Sequence, residues 1–305
     1  LWDPASGACE RVFQGHQRGV RALAVLGDGR LASGSHDETI RLWDPDTGAC
    51  ERVFQGHRGS VMALAVLGDG RLASGSDDKT IRLWDPATGA CERVIQGLGG
   101  SVEALAVLGD GRLASGSDDK TIRLWDPATG ACEWVIQGLG GSVEALAVLG
   151  DGRLASGCGG IGGDDTIRLW DPASGVCERV FEGHQDLVIA LAVQGDGRLA
   201  SGSGGFWGDR TIRLWDPATG ACERVFLGHQ GGVIALAVLS DGRLVSGSDD
   251  TTIRLWDPNQ PDGAPRLLFV ADAAITALVA HPTRPLLVAG DTSGRLHWLQ
   301  LLQFA

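Results

Sequence analysis

Serine, histidine and aspartate recur together along this 305-residue chain. These are the residue types of a nucleophile, a general base and the acid that orients it. His16 keeps company with Ser33, Ser35 and Asp37; similar sets form around His57 and Asp78, His184 and Asp209, and His229 and Asp250. A hydrolytic triad needs one privileged copy beside an oxyanion hole, so four copies argue for a scaffold role instead. The one pair of acids placed for proton-transfer chemistry is Glu103 and Glu144, which fall at equivalent points of successive repeats. Gly157 to Gly162 matches G-x-G-x-x-G, but Thr166 to Trp170 after it reads as a strand, not the helix a dinucleotide needs. Gly159 to Asp164 fits part of a calcium nonapeptide, an architecture that requires tandem copies, and one copy exists. Seven cysteines show no ligand spacing, so no metal or other cofactor is expected.

What positions these residues is a repeat. Thr-Ile-Arg-Leu-Trp-Asp-Pro and its close variants place tryptophan at 43, 84, 125, 170, 215 and 256, spaced 41, 41, 45, 45 and 41 residues apart. Leu1-Trp2-Asp3-Pro4 and Arg295-Leu296-His297-Trp298 flank the series as fragments. Each unit reads as four short strands: Val61 to Leu67, Arg71 to Ser76, Thr80 to Trp84 and Cys91 to Gln96 in the second. Asp/Gly/Pro turns between short β-branched and aromatic runs describe an antiparallel meander. No stretch carries apolar residues at helical spacing over three turns. Six of the cysteines (9, 50, 91, 132, 177 and 222) share one register. Successive strands of that register are too far apart for disulfides, so they are expected to be free thiols serving as small buried apolar groups.

Four junctions carry Gly-His (Gly15-His16, Gly56-His57, Gly183-His184, Gly228-His229) and six full units end in Trp-Asp. On these motifs and the period of 41 to 45 residues, the chain resembles the WD-repeat (WD40) β-propeller family over essentially its whole length. Its near-verbatim repetition resembles bacterial members. The resemblance implies an all-β fold of seven four-stranded blades, opening near Val20, Val61, Val102, Val143, Val188, Val233 and Ile275. The seventh lacks an outer strand and a spare one precedes the first, so residues 9–14 should complete the blade formed by 275–300 and close the ring. The resemblance also implies a structural hydrogen-bond network of His, Asp, Ser and buried Trp within a blade. Its members would be His16, Asp37 and Trp43; His57, Asp78 and Trp84; His184, Asp209 and Trp215; and His229, Asp250 and Trp256. Asp119 and Asp164 hold the same place, but Leu98 and Leu139 replace the histidine, and the seventh unit lacks both groups.

Near-identical units make their differences informative. In a four-stranded meander the first and third turns share one face of the ring. The second turn and the link to the next blade share the other. Turns of the first face, Leu-Gly-Asp-Gly-Arg and Asp-Pro-Ala-Thr-Gly-Ala-Cys, are almost constant. The other face drifts: just after each opening valine stand Arg21, Met62, Glu103, Glu144, Ile189 and Ile234. The residues before it change as well, from Arg18 to Asp186 and Leu187, and second turns carry two insertions, one with Ile161 and one with Phe206-Trp207. Family members commonly bind partners on this face, so these six with Phe206 and Trp207 are the expected partner-binding residues. Trp134, where other outer strands carry Arg11, Arg52, Arg93, Arg179 and Arg224, is expected to pack between blades.

With a net charge of −12, 43% hydrophobic and 21% charged residues, the chain has apolar content for a large core but no clustered cations for tracking phosphates. No apolar run reaches the length of a membrane helix. The expected partner is therefore a protein or peptide, with no nucleic acid and no membrane, and the expected role is non-enzymatic. The alternatives are a propeller enzyme using acids at the channel mouth, or an architectural spacer. Because the chain opens inside a repeated phrase, a longer parent with a linked effector domain is expected. Free thiols suit the cytoplasm.

Overall fold

The computed structural model describes residues 2–3, 8–9, 12–160, 163–205, 209–260 and 264–300. Seven four-stranded antiparallel sheets form its blades, and no helix occurs among the described residues. Blade 1 runs Val20–Val25, Leu31–Ser35, Ile40–Trp43, Cys50–Phe54; blade 2 runs Val61–Val66, Leu72–Ser76, Ile81–Trp84, Cys91–Ile95. Blades 3 to 6 repeat the order from inner strands Val102–Val107, Ser142–Val148, Val188–Val193 and Val233–Val238. Blade 7 takes Ile275–Ala280, Leu286–Asp291 and Leu296–Gln300, and its fourth strand is Val12–Phe13. Val12 pairs with His297 and Phe13 with Leu296, so the N-terminal segment closes the ring as expected.

The sequence explains why the blades stack. Leu26 accepts a hydrogen bond from Gly29, whose φ of 89° is one that a β-carbon disfavours, and the inner hairpin turns there. In Leu31–Ser35 every residue is buried, because both faces of the strand meet neighbouring blades. Gly34 in this strand is opposed by blade 2: a β-carbon on it would lie 2.6 Å from Val61 Cγ1. Each seam then fills with one blade's aliphatics and the next blade's tryptophan, as Ile40, Leu42 and Phe54 do against Val61, Leu72 and Trp84. A second device ties the rim: Arg52 Nη1 and Nη2 donate to the carbonyls of Thr88 (2.7 Å) and Ala87 (2.8 Å) in blade 2. Arg93 and Arg179 do the same one blade further on.

Three expectations need correction. Of the shared register, Cys50, Cys91, Cys132, Cys177 and Cys222 are free thiols, but they are not buried. Cys50, Cys91, Cys132 and Cys222 are exposed and Cys177 is half-buried, since each opens an outer strand that no further strand covers. The buried thiol is Cys158, pushed up to about 12 by burial and then by the charge of Asp164. Trp134 does reach the neighbouring blade as expected, lying over Gly175 of blade 4, but it is not enclosed there: it is 45% exposed. The third correction concerns blade 7, whose register differs from the flanking fragment read in the sequence. Leu296 pairs with Gly290 as Ile40 pairs with Gly34. Trp298 therefore occupies the place of Leu42, and Leu299 that of Trp43, so the large and small side chains have exchanged faces of the sheet.

Candidate functional site

Two kinds of site had been expected, and the geometry separates them. The first is the Ser–His–Asp set. In blade 2, Trp84 Nε1 donates to Ser74 Oγ at 2.8 Å, Ser74 Oγ lies 2.7 Å from His57 Nε2, and His57 Nδ1 lies 2.8 Å from Asp78 Oδ2. An ionised carboxylate can only accept, so Nδ1–H donates to Asp78 and Nε2 accepts from the serine. Asp78 also takes hydrogen bonds from Arg58 N, Thr80 N and Thr80 Oγ1. Burial alone would raise its pKa, but His57, Thr80 and the Arg58 amide hold it well below the usual carboxylate range. His16–Asp37, His184–Asp209 and His229–Asp250 repeat the arrangement, and burial keeps the His229 imidazole below its usual value.

These are the distances of a hydrolytic triad, yet the chemistry is blocked. Each serine is fully buried and its oxygen already receives the indole N–H, so no substrate carbonyl can reach it. The set locks the linker and second turn of one blade onto its tryptophan. Blades 3 and 4 solve the same problem without histidine. Leu98 and Leu139 are buried, the indole-to-serine bonds remain, and Asp119 and Asp164 pair instead with Arg123 (3.2 Å) and Arg168 (2.5 Å). Blade 7 has an acid–histidine pair that spacing did not reveal: His297 Nε2 lies 2.7 Å from the fully buried Asp291. Asp291 holds the register of Ser35 and His297 that of Arg41, so a search six residues before a tryptophan misses both.

The second site is the mouth of the central channel. Arg21, Met62, Glu103, Glu144, Ile189 and Ile234, one from each of blades 1 to 6, line a single cavity of about 180 Å³. Sequence reasoning missed the seventh member, Thr276 of blade 7, although it too follows the opening residue of its inner strand. Thr276 is buried, and its hydroxyl donates to the Val20 carbonyl. A further cavity of the channel, of about 260 Å³, is lined by alanines and leucines of the inner strands, among them Ala22, Ala63, Ala104 and Leu105. Phe206, Trp207 and Ile161, also expected on this face, lie outside the described residues.

The cavity wall is chemically divided. Blades 5 and 6 contribute isoleucines, and blades 3 and 4 contribute carboxylates. Burial pushes Glu103 up to about 7; the nearby Ser101 hydroxyl opposes this, and the charges of Glu144, Asp118 and Asp77 add to it. Burial likewise raises Glu144, against the nearby Ser142 hydroxyl, with Asp118 adding to the rise and Arg21 opposing it. Neither glutamate forms an ion pair among the described residues. Asp77 and Asp118 stand just outside, where they accept hydrogen bonds from Ser101 (2.8 Å) and Ser142 (2.7 Å) of the next blade. Among the described residues no group of His, Cys, Asp and Glu is arranged to hold a metal ion, and no helix is long and apolar enough to cross a membrane.

Seven four-stranded blades with repeated Trp–Ser–His–Asp locks define a β-propeller of the WD-repeat class. Comparison with protein families agrees: the WD domain, G-beta repeat model matches residues 7–44, 48–85, 89–126, 130–171, 175–216 and 220–257. The chain belongs to the WD40 family. Each match begins with an outer strand and ends after the Trp-Asp of the following blade, so sequence repeat and structural blade are offset by one strand. Blade 7 lies largely outside the matches, consistent with its exchanged register. No individual curated protein matches the chain. Domains of this family generally act as protein-interaction scaffolds and are typically non-catalytic.

Proposed function

We propose that this chain is a non-enzymatic docking or sensor module that binds a protein or peptide on the face bearing the channel mouth. One observation carries the reading: the positions at which near-verbatim repeats diverge are those that converge on one cavity. A rigid closed ring presents such a surface with little ordering cost on binding. Ile189 and Ile234 supply apolar contact area and Glu103 and Glu144 supply charge. The exposed free thiols suit a reducing compartment such as the cytoplasm.

The test compares surface variants of the full chain in a pull-down of bound proteins. Ile189→Glu with Ile234→Glu should remove the specific partners. Asp28→Lys with Asp69→Lys, in first turns of the opposite face, should retain them. Loss in the second pair and retention in the first would overturn the assignment of the face.

A further inference from the structure

The channel mouth is more specific than a generic docking surface. It is a small, partly enclosed chamber with two half-buried carboxylates on neighbouring blades and isoleucines beside them. The hydroxyls of the neighbouring Ser101 and Ser142 donate to Asp77 and Asp118 instead, and no described cation forms an ion pair with the glutamates. A second group in the chamber is also incomplete. Arg21 Nε is buried without an acceptor, although the charge of its guanidinium reaches His36, Glu144 and Asp249 on blades 1, 4 and 6. Arg21 lines the same chamber as the two glutamates.

The two deficits have complementary remedies. The carboxylates need a cation, and Arg21 Nε–H needs a carbonyl oxygen; one peptide residue with a basic side chain offers both. The isoleucines and Met62 provide apolar surface for an aliphatic stem, which basic side chains bury while their charged heads stay solvated or paired. We propose that the chamber receives a lysine or arginine side chain of a docked peptide, its cation between Glu103 and Glu144 and its backbone carbonyl on Arg21. This deepens the docking role and rests on that reading for the identity of the face.

Met62 is the chain's only methionine and lines the chamber, so a ¹³C-methyl-methionine label gives one reporter signal at the site. The probes are N-acetyl-lysine methylamide, N-acetyl-arginine methylamide, the Nε-acetylated lysine derivative and n-butylamine. The lysine or arginine derivative should move the Met62 signal saturably. The acetylated derivative should bind at least tenfold more weakly. Binding should strengthen from about pH 6 to 8, as Glu103 ionises among Glu144, Asp77, Asp118 and Arg21. Glu103→Gln with Glu144→Gln should weaken it at least tenfold, and Arg21→Met should narrow the preference for the amide derivatives over n-butylamine.

No saturable shift with either basic derivative, equal binding of the acetylated one, or undiminished binding by the double glutamine variant would overturn the proposal. Thermal melts of the double variant establish that it is folded. If the probes fail while Ile189→Glu with Ile234→Glu still abolishes partner capture, the cation site is wrong and the docking face stands. If the probes bind while capture is unaffected by those two changes, the reverse holds.

Discussion

Glu103→Gln should make the protein more stable at neutral and alkaline pH and leave it unchanged near pH 4. In the folded ring Glu103 titrates at about 7, against 4.5 for an unperturbed glutamate, because burial and then the surrounding carboxylates disfavour its charge. The unfolded chain therefore loses this proton near pH 4.5, while the folded chain holds it to about 7. Between these values the folded state binds more protons, so its stability falls as pH rises; above them the deficit is constant. At 1.36 kcal/mol per pKa unit the full difference is roughly 3 kcal/mol, and solvent at the mouth reduces it to about 2. Glutamine keeps the shape without the charge. Urea unfolding of wild type and variant at pH 4, 5.5, 7 and 8.5 measures the gap. It should open between pH 4 and 7 and then level off. A gap independent of pH, or a variant less stable than wild type at pH 8.5, would refute the idea that the chain carries a destabilising charge at its channel mouth.

Asp78→Ala should cost about 3–5 kcal/mol, because it strands His57, Thr80 and the Arg58 amide together. His57→Leu should cost only about 1–2 kcal/mol, since blades 3 and 4 already use leucine there, with arginine taking over the aspartate; urea midpoints rank the two. Trp134→Arg should stabilise the ring by about 1 kcal/mol by rebuilding the clamp onto the turn of blade 4, visible as a higher melting temperature. Gly34→Ala should destabilise by about 1–3 kcal/mol in the same melts, because the new methyl group meets Val61. Acid unfolding should begin below about pH 4: Asp37, Asp78, Asp209 and Asp250 are held low in the folded state, so the stability they lend is complete above the unfolded value and is lost as pH falls toward their own. A circular-dichroism titration that keeps the native signal to pH 2 would contradict this.

The blades were legible because their turns and their alternation repeat almost word for word, so one unit read correctly reads them all. The mouth was legible for the complementary reason: Arg21, Met62, Glu103, Glu144, Ile189 and Ile234 stand out against that constancy. Thr276 escaped because the divergence was followed only through the regular units, although Ile275 had marked the place. The Asp291–His297 pair escaped for a physical reason. Pairing register is a property of two strands, and a one-residue change along one of them leaves composition and motif nearly intact while turning every side chain over. The cysteines misled because burial was inferred from residue type; the outermost strand of a blade has nothing beyond it to bury against.

The exchange of Trp298 and Leu299 bears on how so repetitive a chain closes in the right place. Outer strands of blades 1, 2, 4 and 5 begin Cys-Glu-Arg-Val, and the segment that closes the ring shares this text at residues 9–12. Sequence alone therefore gives that strand little reason to prefer the third strand of blade 7 over another; its described pairs there are Val12 with His297 and Phe13 with Leu296. Blade 7 compensates with shape. Moving the indole to the face shared with blade 1 sets Trp298 edge-on to Phe13 at 4.6 Å, with Trp43 stacked on the far side of Phe13 at 6.0 Å. Aromatic contacts of this kind add about 0.5–1.5 kcal/mol each beyond the area they bury. No other third strand puts its tryptophan on that face, since in blades 1 to 6 the site is Leu42 or its counterpart. The departure from the repeat at blade 7 is thus what makes the closing strand specific, and a closed ring is in turn the condition for seven mouth residues to meet in one chamber.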